Sequence, residues 1–212
     1  MKKIFQNSAE TLLEIIVAIV IVGIGASASL GIISSAVRGN QAARDRLIAL
    51  NLAREGLEVF INTREANVRS ANYNAAPKCW RAIDIDNCSI SSGELWGDDV
   101  NKNNYITILN PSNFSWKIKK MQSLIEANST PAEEFRIYKI NDMYVQTVTT
   151  DPTNFFRAVK VEKISNNDPS VAEMQNSSNI QEGDLLKLTA IIYFKNRTNY
   201  SKVEIESVIS NY

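Results

Sequence analysis

An α+β fold, with one long amino-terminal helix laid across an antiparallel β-sheet, is the architecture this chain predicts. Three features predict it. An uncharged apolar run stands near the start, a stretch of helix formers without proline follows it, and alternating strand patterns gather after residue 135. With 212 residues the chain has room for one domain and an appendage.

The apolar run comes first. Ile15 to Val37 is 23 residues without a charge. At a rise of ~1.5 Å per residue it reaches roughly 34 Å, enough to cross a hydrocarbon core of ~30 Å. Ile15–Ile24 is dense in Ile and Val, whereas Gly25–Gly31 (GASASLG) is small and soft. Three readings fit. Lys2 and Lys3, the Ile15–Ile24 core and Ala26-Ser27-Ala28 have the parts of a secretory signal peptide. The same run serves as a plain signal anchor, with Arg38, Arg44 and Arg46 after it. Neither explains the carboxylates Glu10 and Glu14 at its mouth. A carboxylate near bilayer depth costs about 2.5–3.5 kcal/mol, less near the interface, and is kept where a partner meets it.

Asn40 to Glu65 reads as a helix continuing the run. At ~100° per residue its apolar positions make two stripes. Ala43, Leu47, Leu50, Ala53, Leu57 and Ile61 share one side, and Ile48, Leu52 and Val59 share roughly the opposite side. Two stripes imply either two partners or a helix covered on both sides.

Residues 66–134 are rich in Asn, Ser, Asp and Gly and read as a loop region. Within it Tyr105–Leu109 and Phe114–Lys120 are short strand candidates, and Trp80, Trp96, Trp116 and Tyr105 are expected in the core. Cys79 and Cys88 fit one short disulfide loop or two free thiols. Asp84 and Asp86 stand in one acidic turn. Asp99, Asn101 and Asn103 open like a calcium loop, but the glycine is missing and the twelfth position is Asn110. Solvated turn acids are the better reading, and no metal site is expected.

The sheet follows in residues 135–212. FRIYKI and MYVQTV flank Asn141-Asp142, a two-residue hairpin turn. In Phe155–Ile164 one side carries Phe155, Arg157, Val159 and Val161. Leu185–Phe194 and Lys202–Ile209 make a further pair. In the last strand Lys202, Glu204 and Glu206 alternate with Val203, Ile205 and Ser207, so one face is wet and one buried.

Composition excludes several functions. The 23 basic and 23 acidic residues cancel, so nothing favours nucleic acid as a partner. Histidine is absent, which removes the usual general base near neutral pH. No glycine loop of the phosphate-cradling kind is visible, and Glu133-Glu134 reads as a solvated pair. Neither an enzyme nor a bound cofactor is expected.

AETLLE, residues 9–14, followed by the Ile/Val run resembles the type IV prepilin signature, a small residue and then x-T-L-x-E. Ala9 stands where the family has glycine and Glu10 where it has Phe or Met. LAREGLE at residues 52–58 is similar to the run of minor pilins and pseudopilins. F-x-R-x-V-x-V from Phe155, with the SNY ending, resembles minor pilins of the PilV-like type. The resemblance implies a type IV pilin fold, with a membrane-spanning first half of the helix and a second half packed on the sheet.

The same resemblance implies a leader 1–9 cut after Ala9, with Glu10 as the new and methylated terminus. An assembly helix 10–37 would follow, in which Glu14, beside Thr11, pairs with a neighbouring subunit's terminal amine. An amphipathic helix 38–65, a variable region 66–134 and a sheet 135–212 complete the domain order. Gly23, Gly25 and Gly31 fall where pilin helices soften on assembly; close packing through small residues is the alternative. The implied partners are other pilin subunits, a prepilin peptidase, inner-membrane assembly machinery and lipid before assembly. The implied location is the cytoplasmic membrane, single-pass with the carboxy-terminal domain outside, then a pilus or pseudopilus. Cys79–Cys88 would be a disulfide in that compartment. A secreted or signal-anchored binding module without a filament is the competing function.

Overall fold

The computed structural model describes residues 2–70, 76–89, 94–98, 104–110, 112–123, 125, 130–164, 185–196 and 199–211. Side chains are described from residue 12 onward, Asn196 apart. Among the described residues one α-helix, α1 (Lys2–Arg69), precedes seven strands: β1 (Asn104–Asn110), β2 (Ser115–Lys120), β3 (Arg136–Ile140), β4 (Met143–Val145), β5 (Pro152–Lys163), β6 (Leu185–Asn196) and β7 (Asn199–Ser210). Residues 1–45 form one compact unit and residues 46–212 a second.

In the second unit the strands make one antiparallel sheet. β7 pairs with β6 along its whole length, and β6 with β5. The other edge of β5 is shared. Lys160 and Val159 pair with β1, while Phe156 and Pro152 pair with β3, so hairpins β1–β2 and β3–β4 diverge from the same strand. The β3–β4 turn is the expected one: Asn141 and Asp142 have φ of 48° and 64°, the left-handed pair that suits strand twist. The strands within 66–134 belong to this sheet as β1 and β2.

One face of the sheet receives α1. Phe155, Val159 and Val161 of β5 and Leu186, Leu188, Ala190 and Ile192 of β6 meet Ala49, Leu52, Ala53, Leu57, Val59 and Phe60 in one core. Phe60 lies at its centre, 5.0 Å from the Trp96 ring and 5.9 Å from the Tyr105 ring. Burying such a ring stabilises by about 1.5–3 kcal/mol. Trp80, Trp96 and Tyr105 are buried, and Trp116 packs on the core's margin, so the variable region's aromatics supply burial.

The two-stripe reading of the helix is corrected here. The buried positions form one broad face drawn from both stripes and centred on Ala49, Ala53, Gly56 and Phe60. Ala43, Leu47 and Ile61 are left exposed. Alanine and glycine carry little hydrophobic weight, so the centre of the stripe was easy to miss. Their small size is what lets the helix lie close to the strands.

A second, smaller core covers part of the other face: Ile106, Met121, Ile125, Phe135, Phe156, Ala158 and Ile191. Cys79 and Cys88 are disulfide-bonded, with Cα atoms 5.9 Å apart, inside a small cluster with Ala76, Ala82 and Leu95. Asn67, near the end of α1, ties this loop down by donating from Nδ2 to the carbonyls of Ala82 (2.9 Å) and Trp80 (3.2 Å).

Gly56 is the helix position with no room to spare. A Cβ there would stand 3.2 Å from Arg157 Cδ and 3.3 Å from Val159 Cγ2. Gly56→Leu is expected to destabilise the domain by about 1–3 kcal/mol through overpacking. Denaturant unfolding measures this, and an unchanged midpoint would refute the close approach.

Candidate functional site

In the first unit, the large apolar side chains from Leu12 to Val37 are 49–71% exposed. Among the described residues this is the one helix long and apolar enough to cross a membrane. Glu14 is exposed at its beginning. Ala9, Glu10 and Thr11 belong to α1, but their side chains lie outside the described residues. The helix runs unbroken through Gly23, Gly25 and Gly31. Nothing lies within 4 Å of a Cβ built at any of the three, so no contact within the described chain requires glycine there. Ser27 and Ser29 return their hydroxyls to the helix, donating to the carbonyls of Gly23 and Gly25, the latter at 2.9 Å. Such back-bonding satisfies a hydroxyl in an apolar setting and favours bending of the helix. Arg38 ends the uncharged stretch by folding back on Ser34, with Nε 2.9 Å from its carbonyl and Nη2 2.9 Å from its hydroxyl.

The second unit holds a polar centre that the sequence did not announce. Arg157 lies on the helix-facing side of β5, as alternation predicted, and is 1% exposed. Its Nη1 donates to Glu55 Oε1 at 2.7 Å and to the Leu52 carbonyl at 3.2 Å, both on α1. Nε donates to Gln146 Oε1 at 3.0 Å, and Nη2 to the Thr107 carbonyl at 3.4 Å. Burial pulls the guanidinium's pKa down, and the charge and hydrogen bond of Glu55 oppose that. Gln146 sits between the diverging hairpins. Its Nε2 donates to the carbonyls of Arg157 (2.7 Å) and Phe135 (3.2 Å), and its Oε1 accepts from the Thr107 amide at 3.1 Å. A side-chain amide thus takes the place of strand pairing where the sheet divides. The signal for this centre was a lone arginine on an apolar strand face, together with Glu55-Gly56 in the helix.

The acidic candidates serve structure. Asp84 accepts from the Asp86 amide (3.1 Å) and from Asn87 Nδ2 (2.6 Å), which closes a turn. Glu133 pairs with Arg136, and that hydrogen bond holds its carboxyl below the usual range. Asp99, Asn101 and Asn103 lie outside the described residues. Asp98 joins Arg81 (2.7 Å) to Lys163 (2.8 Å). Burial works against its charge, but the hydrogen bonds from Lys163 and Arg81 outweigh it and lower its pKa.

Glu55→Ala leaves a buried guanidinium without its counter-charge and is expected to cost about 2–4 kcal/mol, reduced from the fully buried case because Glu55 is partly solvated. Arg157→Met combined with Glu55→Ala should cost less than the sum of the two, as a double-mutant cycle by denaturant unfolding would register. For Asp98, a lowered folded pKa means that its stabilisation is complete above its ordinary value near 3.8 and is lost as pH falls through the lowered one. Asp98→Asn should therefore flatten the decline in melting temperature below about pH 4 and leave less stability near neutrality.

No family model, no curated protein and no solved structure matches this chain.

Proposed function

We propose that this protein is a type IV pilin-like structural subunit, processed by a prepilin peptidase and assembled into a pilus or pseudopilus through its amino-terminal helix. One observation carries the reading: Glu14 opens an apolar helix whose large side chains are all left uncovered by the rest of the described chain. Such a surface is stable only in lipid or against other apolar helices, and a carboxylate beside it calls for a cationic partner. AETLLE at residues 9–14 supplies both the site of a cut and the spacing that brings a neighbour's new amine to Glu14. The three glycines without an intrachain role fit a helix that softens or packs closely on assembly.

In this reading the subunit waits in the cytoplasmic membrane with its sheet domain outside, where the Cys79–Cys88 disulfide is stable. Assembly machinery then draws α1 into the filament. The chain has a scaffolding role and no catalytic one.

Mass spectrometry of the mature amino terminus tests the proposal. A methylated start at Glu10 supports it, a start at Ser29 marks a signal peptide, and an intact terminus marks a plain anchor. Glu14→Ala should insert into the membrane normally but enter filaments poorly, as scored by subunit content of sheared fibres; unchanged incorporation defeats the pairing.

A further inference from the structure

The face of the sheet turned away from α1 holds an open cleft of about 360 Å³, at the small end of the ~300–1,000 Å³ typical of small-molecule sites. Strand register builds it. Asn104 of β1, Lys160 of β5, Thr189 of β6 and Glu206 of β7 are successive cross-strand neighbours, so an amide, an ammonium, a hydroxyl and a carboxylate stand in one row across four strands. Neighbours in such a row stand about 5 Å apart, the spacing of groups around a small polar ring. Ile191 and Ile125 line the same cleft and give it an apolar patch.

Two observations point to a ligand and to its class. First, the floor is built from polar residues that are themselves largely buried. Asn104 is 4% exposed and Thr189 is 7% exposed. Asn104 donates through Nδ2 to the Ser123 carbonyl at 3.4 Å, yet among the described residues neither its Oδ1 nor the Thr189 hydroxyl has a protein partner. The Ser123 hydroxyl beside it is also buried without one. The Asn104 and Thr189 oxygens are not sealed off: they keep access to the cleft, where a hydroxyl entering it can reach them. Second, every charge at the cleft is already neutralised. Lys160 pairs with Glu162 at 2.8 Å, Lys187 with Glu206 at 2.7 Å, and Lys202 with Glu204 at 2.6 Å. An anionic ligand would have to displace a carboxylate from one of these pairs. A neutral ligand rich in hydroxyl groups breaks none, because each carboxylate has lone pairs to spare and the floor has open acceptors.

We propose that this cleft binds a neutral saccharide of one or two rings. Thr189 and Asn104 accept and donate hydrogen bonds at its floor, Glu206 and Lys160 engage hydroxyls at its rim, and Ile191 and Ile125 meet the C–H face of a ring. The site does not depend on how α1 is processed or assembled.

The test is an NMR titration of the full chain in a zwitterionic detergent that carries no sugar, with glucose, galactose, N-acetylglucosamine and cellobiose as probes and glucuronate and glucosamine as charged controls. At least one neutral sugar should shift the Thr189 and Asn104 amides saturably, and more tightly than either charged sugar. Thr189→Val, which keeps the branched shape and loses the hydroxyl, should weaken that binding about five- to tenfold, and Asn104→Leu similarly. Glu206→Gln, at the exposed rim, should weaken the same titration and keeps the test open should Thr189→Val fail to fold. Lys117→Ala, on β2 away from the row, should change nothing. The proposal is overturned if no neutral sugar gives a saturable shift, if a charged control binds tighter, or if the floor variants keep full affinity.

Discussion

A guanidinium taken out of water must find an oxygen for its N–H groups, and Arg157 finds them on three other segments: Leu52 and Glu55 of α1, Thr107 of β1, and Gln146 between the hairpins. The arrangement is stringent, because a buried charge that loses one partner costs far more than a surface pair returns. It therefore fixes several things together. The helix must lie where the Leu52 carbonyl and the Glu55 carboxylate reach β5. Gly56 must be small, because the arginine's stem runs beneath it. The β1–β2 and β3–β4 hairpins must part at one place, where Gln146 supplies the hydrogen bonds that strand pairing no longer provides. Hydrophobic burial around Phe60 supplies most of the stabilisation, but it is non-directional. The arginine centre gives it a single register.

α1 differs sharply in exposure along its length. From Ala49 to Asn67 its buried face is set by the sheet, down to a glycine that touches an arginine and an asparagine that holds the disulfide loop. From Leu12 to Val37 its large apolar side chains are exposed. The glycines of the two parts carry opposite messages. Gly56 is explained by what a Cβ there would meet within the chain, whereas a Cβ at Gly23, Gly25 or Gly31 would meet nothing within 4 Å. That contrast is compatible with the proposed role of the first part of the helix.

The two faces of the sheet divide the work in a similar way. The helix-facing side carries the main core, with one fully engaged arginine inside it. The other side carries a small core at one end and a belt of alternating lysine and glutamate on β5, β6 and β7. Such a belt keeps a wide sheet soluble and discourages pairing between copies. It also leaves a polar row whose floor has hydrogen-bonding capacity to spare.

Much of this was legible in one dimension because it rests on local rules. The uncharged run, the helix formers after it, the Asn141-Asp142 turn and the period-two strands each follow from a few neighbouring residues. They determined an α+β fold, the strand faces and the membrane-compatible helix. The β1 and β2 candidates were visible too, but not their pairing beside β5, since pairing joins residues far apart in the chain. The stripe that meets the sheet was misread because its centre is alanine and glycine, whose contribution is closeness and not hydrophobic weight. Arg157 shows the same limit: its place on an apolar strand face was readable, but its role was not, because its partners lie 102 residues before it, at Glu55, and 11 before it, at Gln146. The sequence by itself determined which residues alternate, turn and avoid water. Only the tertiary structure decided which buried charge meets which oxygen and which polar row faces a cleft, because those depend on distances between segments that no local pattern encodes.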